Sequence, residues 1–445
     1  MPARDLRDTI AAIATAHGPG GVGIVRLSGP GSRGIAEEIC GRRLHARQAV
    51  HARLRAGDGD TLDDGIVLWF AAPASYTGED VVELQAHGSP VVLAQLLQRC
   101  LQLGARQARP GEFTERAFLE GKLDLAQAEA VADLISAGSQ AAARAARRSL
   151  DGEFSRRVDD LVERLTQLRM YVEAALDFPD EDIDFLAAPE LGERLHATRD
   201  ALAALLREAG RGKRLMDGLH VVIIGAPNVG KSSLLNALAD EDRAIVSDIA
   251  GTTRDLLRET LDLEGVLLTL VDTAGLREAP DSIEAEGIRR ARAELQRADV
   301  VLAVLDGSAD DSLPADLARE IPEGARVLWL HNKADLRPRA SGVVQIDHFI
   351  LSARTSLGLD SLRARLRELA GGEGGGSFSA RARHLEALSQ AALCLNRASA
   401  CLDSIQAELA AEELRQAQLA LGQITGVMDA DTLLGRIFSG FCIGK

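Results

Sequence analysis

Cysteine is scarce in these 445 residues, and its scarcity excludes two classes of protein. Cys40, Cys100, Cys394, Cys401 and Cys442 form no C-x-x-C pair and no zinc-ligand spacing. Reduced thiols in a cytosolic chain are therefore expected, rather than a disulfide framework or a structural zinc. Long apolar runs are also missing. No stretch reaches the roughly 20 apolar residues of a membrane span, and the opening MPARDLRDTIAAIATA lacks the features of a secretory leader. The expectation is a cytoplasmic protein with no membrane partner. Basic residues are outnumbered, 51 Lys and Arg against 66 Asp and Glu, for a formal net charge of −15. Non-specific affinity for nucleic acid comes mostly from phosphate neutralisation, so an RNA partner must meet a local basic face or be held mainly by another subunit. Two clusters offer such a face, Arg144, Arg147 and Arg148, and Arg207, Arg211, Lys213 and Arg214. Taken alone, each reads first as a solvated helix face.

What is present is an ordinary globular composition, 46% hydrophobic and 26% charged, in a chain long enough for two to four domains. Residues 1–118 mix short β-like runs (GIVRLSG, DGIVLWF, DVVELQAHG) with helices, an α+β pattern. Residues 119–217 turn helical, with apolar positions recurring at three and four. Residues 218–370 alternate apolar strands (HVVIIG, LLTLVD, VVLAVLD, RVLWLHN) with helices, the pattern of a doubly wound α/β domain. A Gly-rich linker over 371–379 leads back into helix over 380–445. The economical arrangement is one all-α domain into which the α/β domain is inserted, and the whole is a multidomain α/β protein.

The α/β block carries five motifs in order. Gly225-Ala-Pro-Asn-Val-Gly230-Lys231-Ser232 is a phosphate loop between the strand VVII and the helix SSLLNAL. In such a loop the amides cradle phosphate, Lys231 neutralises the β/γ oxygens and the Ser232 hydroxyl takes Mg²⁺. Thr252 and Thr253 stand where a switch loop supplies a metal-ligating Thr, and Asp272-Thr273-Ala274-Gly275 ends the strand LLTLV. Asn332-Lys333-Ala334-Asp335 ends RVLWLH; a buried Asp335 pairs with the two N–H donors of guanine and would be left unpaired by adenine, which selects GTP. Ser352-Ala353-Arg354 follows HFIL, where a backbone N–H can meet guanine O6. The expected nucleotide contacts are Asn228, Val229, Gly230, Lys231, Ser232 and Ser233; Ser247, Asp248, Ile249, Ala250, Gly251, Thr252 and Thr253; Asp272, Thr273, Ala274 and Gly275; Asn332, Lys333 and Asp335; and Ser352, Ala353 and Arg354. The inserted domain reads as a P-loop GTPase of the Ras-like kind.

The catalytic details depart from the common pattern. Many GTPases orient the attacking water with a Gln after the glycine of the D-x-x-G motif. Leu276 occupies that place, which leaves Glu278, Asp281, Glu284 and Glu286 as candidates. Asn228 is a candidate to help hold a monovalent cation beside the β/γ bridge, with carbonyls of the segment SDIAGTT. Two other matches are decoys. Gly18-Pro-Gly20-Gly-Val-Gly23 fits the dinucleotide fingerprint but runs into strand-like IVRLSG where a helix start is required. The tail Cys442-Ile-Gly-Lys445 has the cysteine of a prenylation box but not its aliphatic and terminal residues.

The pieces DTIAAIAT, GGVGIVRLSG, SYTGEDVVELQAHG, RPGEFTERAFLEGKLDLAQAEAVADLI, YVEAALDFPDEDIDF, the five motifs and LLGRIFSGFCIGK together resemble the MnmE (TrmE) family of tRNA-modification GTPases, over essentially the whole chain. The resemblance implies an N-terminal domain that forms the homodimer and binds a tetrahydrofolate derivative (5-formyl- or 5,10-methylene-tetrahydrofolate). It implies a flavoprotein partner, MnmG (GidA), in a heterotetramer, and modification of C5 of the wobble uridine of certain tRNAs. By position it implies folate contacts at Arg26, Glu83, Lys122 and Lys445, a K⁺ site at Asn228, Ser247, Ile249 and Thr252, Mg²⁺ at Ser232 and Thr253, and Glu284 as the residue that orients water. The role of Cys442 stays open. The competing readings are a stand-alone regulatory GTPase of the ribosome-assembly type, which fits neither the N-terminal block nor FCIGK, and a scaffold with a vestigial GTPase, which intact motifs disfavour.

Overall fold

The computed structural model describes residues 8–177, 189–239, 258–263, 266–272, 292–307, 318, 319, 321, 322, 324–336, 342–370, 378–404, 406–426, 437, 441 and 444. The chain divides into two units, Met1–Ala132 with Gly422–Lys445, and Asp133–Leu421.

In the first unit the alternating runs of the sequence become half-buried strands. In chain order these are β1 (Ile10–Ile13), β2 (Gly20–Ser28), α1 (Ser32–Cys40), β3 (Val50–Arg55), β4 (Thr61–Phe70), β5 (Val81–Gly88), α2 (Pro90–Gln102), β6 (Arg106–Gln107), α3 (Glu112–Leu119) and α4 (Leu125–Ser136). The strands form one sheet in the order β3-β4-β5-β2-β1-β6, antiparallel except for the parallel pair β1–β6. One face, carrying Val25, Leu27, Val82 and Leu84, packs on Ile35 and Ile39 of α1 and on Leu93 and Leu96 of α2. Successive strand residues point to opposite faces, so the register partners Ala12, Arg26 and Glu83 lie on the other side. There Ile10, Ala12, Ala108 and Phe113 form a smaller core with Tyr76. The segment that mimics a dinucleotide fingerprint leads into β2, a strand.

Helix α3 starts at Glu112 behind Gly111 with φ 67°, and it buries charges where a helix usually buries apolar groups. Glu112, Glu115 and Arg116 are each no more than 2% exposed.

The second unit holds α5 (Gln140–Leu150), α6 (Glu153–Asp177) and α7 (Pro189–Asp217), then β7 (Leu219–Gly225), α8 (Lys231–Ala239), β8 (Arg258–Leu263), β9 (Val266–Asp272), β10 (Val300–Asp306), β11 (Arg326–Asn332), β12 (Gly342–Gln345), β13 (His348–Ile350) and α9 (Leu359–Ala370). It closes with α10 (Ala382–Asp403) and α11 (Ala407–Thr425). Its sheet has the order β12-β13-β11-β10-β7-β9-β8, parallel except at the two edge pairs.

The helices on either side of the α/β domain in sequence are joined in space. Phe154 stacks on Phe378 with ring centroids 4.7 Å apart. The Ser379 hydroxyl donates to Asp133 Oδ2 at 3.0 Å, and Arg381 pairs with Asp133 at 2.7 Å. The Ser379 N–H donates to Ser149 Oγ at 2.9 Å, across 230 residues of sequence. The helical domain is thus discontinuous, with the P-loop domain inserted. No helix among the described residues is long and apolar enough to cross a membrane.

Candidate nucleotide site and N-terminal pocket

The central strand β7 has β9 on one side and β10 on the other, which makes its C-terminal end a topological switch point, where open α/β sheets bind ligands. The phosphate loop leaves from that end. Gly225 has φ 155°, and a Cβ there would lie 2.3 Å from the Val304 carbonyl oxygen of β10, so no other residue fits. Asn228 (φ 62°) and Gly230 (φ 95°) are also left-handed. Left-handed residues within a turn aim neighbouring N–H groups into one concavity, an anion nest. Lys231, first residue of α8 and only 8% exposed, donates through Nζ to the carbonyls of Gly225 (3.0 Å) and Ala226 (2.9 Å). Those bonds hold the ammonium over the loop at the positive end of the helix dipole. Ser232 and Ser233 follow on the exposed side, and Val229 packs into the core beneath.

The base-reading motifs end two neighbouring parallel strands. Asn332, at the end of β11 and 3% exposed, donates through Nδ2 to the Val229 carbonyl at 2.8 Å and accepts the Ala353 N–H on Oδ1 at 2.9 Å. One side chain therefore locks the phosphate loop to the loop after β13. Lys333 is left-handed (φ 64°) and pairs with Asp306 at 2.7 Å. Buried Ser352 donates its hydroxyl to Asp335 Oδ1 at 2.6 Å, which orients the carboxylate. Asp335 itself is exposed, as is Arg354. The buried Asp335 expected for guanine selection is therefore not found in the protein alone.

The remaining expected residues of this site are only partly placed. Asp272 ends β9, in register with Ile223 of β7. Ser247, Asp248, Ile249, Ala250, Gly251, Thr252, Thr253, Thr273, Ala274, Gly275 and Glu284 lie outside the described residues. Of the expected cation ligands, Asn228 and Ser232 alone are described, both exposed at the phosphate loop.

In the first unit Arg26 donates from Nε (3.1 Å) and Nη2 (2.9 Å) to Glu83 Oε1 across β2 and β5. The guanidinium carbon stands 5.7 Å from the Tyr76 ring centroid and 5.8 Å from that of Phe113, within cation–π range. Burial pushes the Tyr76 phenol up from its ordinary value, against the opposing hydrogen bond with Thr114. Lys122 is exposed on the turn after α3; a Cβ added at Gly78 would come within 3.5 Å of its Cε. Lys445 and Cys442 lie outside the described residues, but two of their neighbours do not. Phe441 is buried against Leu125 and Ala128. Gly444 has φ 101°, and a Cβ there would lie 2.1 Å from the Ile13 carbonyl oxygen, at the end of β1. The tail thus reaches the strand whose Ala12 is the register partner of Arg26.

Motif reasoning missed an ionic network centred on α3. Arg116, 2% exposed, pairs with Asp8 (2.6 Å), Glu79 (3.0 Å) and Glu112 (3.4 Å). Arg106 pairs with Asp8 and Glu112, and Arg109 with Glu115. Burial alone would raise the carboxyls of Asp8 and Glu112; hydrogen bonds and the arginine charges outweigh it and hold both below their ordinary values. The i,i+4 spacing of Glu112 and Arg116 was the available signal.

The family described as "GTP-binding protein TrmE N-terminus" matches residues 9–122, and "MnmE helical domain" matches residues 125–442. The tRNA modification GTPase MnmE of Xanthomonas campestris pv. campestris (strain 8004) is 60% identical over 444 residues, 99% of either chain. That of Xylella fastidiosa (strain Temecula1 / ATCC 700964) is 54% identical over 442 residues, 98% of either chain. Among solved structures, the G domain of the T. maritima FeoB iron transporter covers 34% of this chain and 98% of its own at 26% identity, with a TM-score of 0.27, too low to bear on the reading. Full-length identity of this order, over a chain with an intact phosphate loop and base-reading motif, shows that the chain belongs to the MnmE (TrmE) family of tRNA modification GTPases.

Proposed function

We propose that the protein works as a homodimer with a flavoprotein partner, MnmG (GidA), in a heterotetramer in the cytoplasm. Together they place an aminomethyl or carboxymethylaminomethyl group on C5 of the wobble uridine (position 34) of certain tRNAs. A tetrahydrofolate derivative, when bound, supplies the one-carbon unit. Arg26, Glu83, Lys122 and Lys445 contact it, the carboxylate suiting the hydrogen-bonding pterin and the cations the anionic glutamyl tail. The observation that carries this reading is the placement of the Arg26–Glu83 pair beside Tyr76 and Phe113, on the strand set that Gly444 of the tail touches. A half-buried cation–carboxylate pair next to aromatic faces suits a flat heterocycle with an anionic tail.

In the GTPase domain, Lys231 and the loop amides neutralise phosphate, Asp335 reads guanine, and Ser232 with Thr253 holds Mg²⁺. Asn228, Ser247, Ile249 and Thr252 hold K⁺, which charges the β/γ bridge in place of an arginine finger and pairs two GTPase domains. Glu284 orients the attacking water. The direct test is equilibrium binding of 5-formyltetrahydrofolate to the intact chain and to a Lys445-deleted chain. Saturable binding that weakens on deletion is expected. A folded chain that binds no folate would sink the modification chemistry and leave only the GTPase.

A further inference from the structure

The second basic cluster forms a groove on α7 that the nucleotide and folate sites leave unused. Arg207, Arg211 and Arg214 are spaced by four and three residues, so they line one helix face at a rise of roughly 4.5 to 6 Å between neighbours. All three are exposed, and among the described residues none has an ion-pair partner. Lys213, which also lines the groove, is paired with Asp217 at 2.6 Å, and in the other basic cluster Arg147 is paired with Asp151 at 2.8 Å. The three arginines surround a groove of about 640 Å³ with Leu206, Gly210 and Leu385.

Gly210 is a second, separate observation. It lies inside a 29-residue helix, where glycine is destabilising relative to alanine. Packing does not require it, because a Cβ there would meet nothing within 4 Å. Gly212 differs: its Cβ would lie 2.3 Å from the Phe378 carbonyl oxygen. The bare backbone at Gly210 keeps the groove floor open between the arginines.

We infer that this face of α7 binds the phosphodiester backbone of RNA, an inference that rests on the tRNA-modification reading. Guanidinium forks match phosphate oxygens, and uncompensated cations a few ångströms apart suit a strand charged at regular intervals. The groove has no aromatic on which a base would stack, so the contact positions RNA without reading its sequence. The groove offers cations and two leucines but no aromatic anchor, which favours a polyanionic strand over the surface of an acidic protein.

The test is fluorescence anisotropy of labelled tRNA titrated with the full chain over a salt series. Replacing Arg207, Arg211 and Arg214 together by Ala is expected to weaken binding about tenfold or more at low salt. It should also flatten the log K against log salt slope by about 2 to 3, the change for three lost phosphate contacts. Gly210→Leu, which fills the groove without changing charge and favours the helix, is expected to weaken binding as well; it decides the matter if the triple variant does not fold. Wild-type binding of tRNA with both folded variants indistinguishable from it overturns the inference while sparing the modification reading. Wild type that binds no tRNA at low salt removes both the groove assignment and direct tRNA contact by this chain. Loss of poly-L-glutamate binding with tRNA binding intact would overturn the RNA assignment in favour of an acidic protein partner.

Discussion

Asn332 Nδ2 donates to the carbonyl of Val229 at 2.8 Å, across 103 residues of sequence. This bond makes the base-reading and phosphate-binding loops one mechanical unit. Asn332→Ala leaves the buried Val229 C=O and Ala353 N–H unpaired, at about 1–3 kcal/mol each. The expected outcome is GTP affinity lower by at least about tenfold and a lower thermal midpoint for the GTPase domain, read by calorimetry with and without GTP. Gly230→Ala should act through the same bond, since its Cβ would stand 2.4 Å from Asn332 Nδ2. The double variant should therefore lose less than the sum of the two; strict additivity would show that the loops are independent.

Gly444→Ala tests the seat of the tail. The added methyl meets the Ile13 carbonyl oxygen at 2.1 Å and the residue must keep φ 101°, a conformation that side chains other than Gly adopt only under strain. Detachment of the tail is expected, with 5-formyltetrahydrofolate affinity falling as far as it does on deleting Lys445. An alanine variant that binds folate as well as wild type refutes the placement of the tail at this pocket.

The ionic network of α3 sets an acid limit on the first unit. Asp8 and Glu112 have folded-state values below their ordinary 3.8 and 4.5. A depressed carboxyl contributes stability that is present above the unfolded value and is lost as pH falls through the folded one. The thermal midpoint should be insensitive to these two groups from neutrality down to about pH 5 and should fall steadily below about pH 4. Arg116→Met, which leaves three carboxylates short of a cation, should destabilise by about 3–5 kcal/mol and reduce the acid sensitivity of the melting curve. Equal acid slopes in the two proteins would show that Arg116 does not set these values.

Glu284→Ala addresses hydrolysis directly. If Glu284 orients the water, turnover should drop by a factor of about 10² to 10³, the range for losing one positioned polar group in a transition state, while GTP binding changes little. Single-turnover hydrolysis and nucleotide titration separate the two effects. Unchanged turnover would return the role to Glu278, Asp281 or Glu286.

Local order in sequence determined the nucleotide site. A phosphate loop, NKAD and SAR act through a few consecutive residues at strand ends, so their chemistry is legible before any fold is known, and the strands HVVIIG, LLTLVD and RVLWLHN form as their apolar runs indicate. Arg26 and Glu83 are different: 57 residues apart, they meet only because β2 and β5 pair in one register. By themselves both look like surface charges, and a slip of one residue would put them on opposite faces. The network around Arg116 escaped pattern reading because buried charges break the apolar period by which helices are recognised. The bonds of Ser379 to Asp133 and Ser149 escaped it because their partners lie more than 200 residues away. The amino-acid sequence determined which reactive groups the protein has and which short loops present them. Tertiary structure decided which distant charges face one another, because register, burial and chain closure are properties of the packed whole.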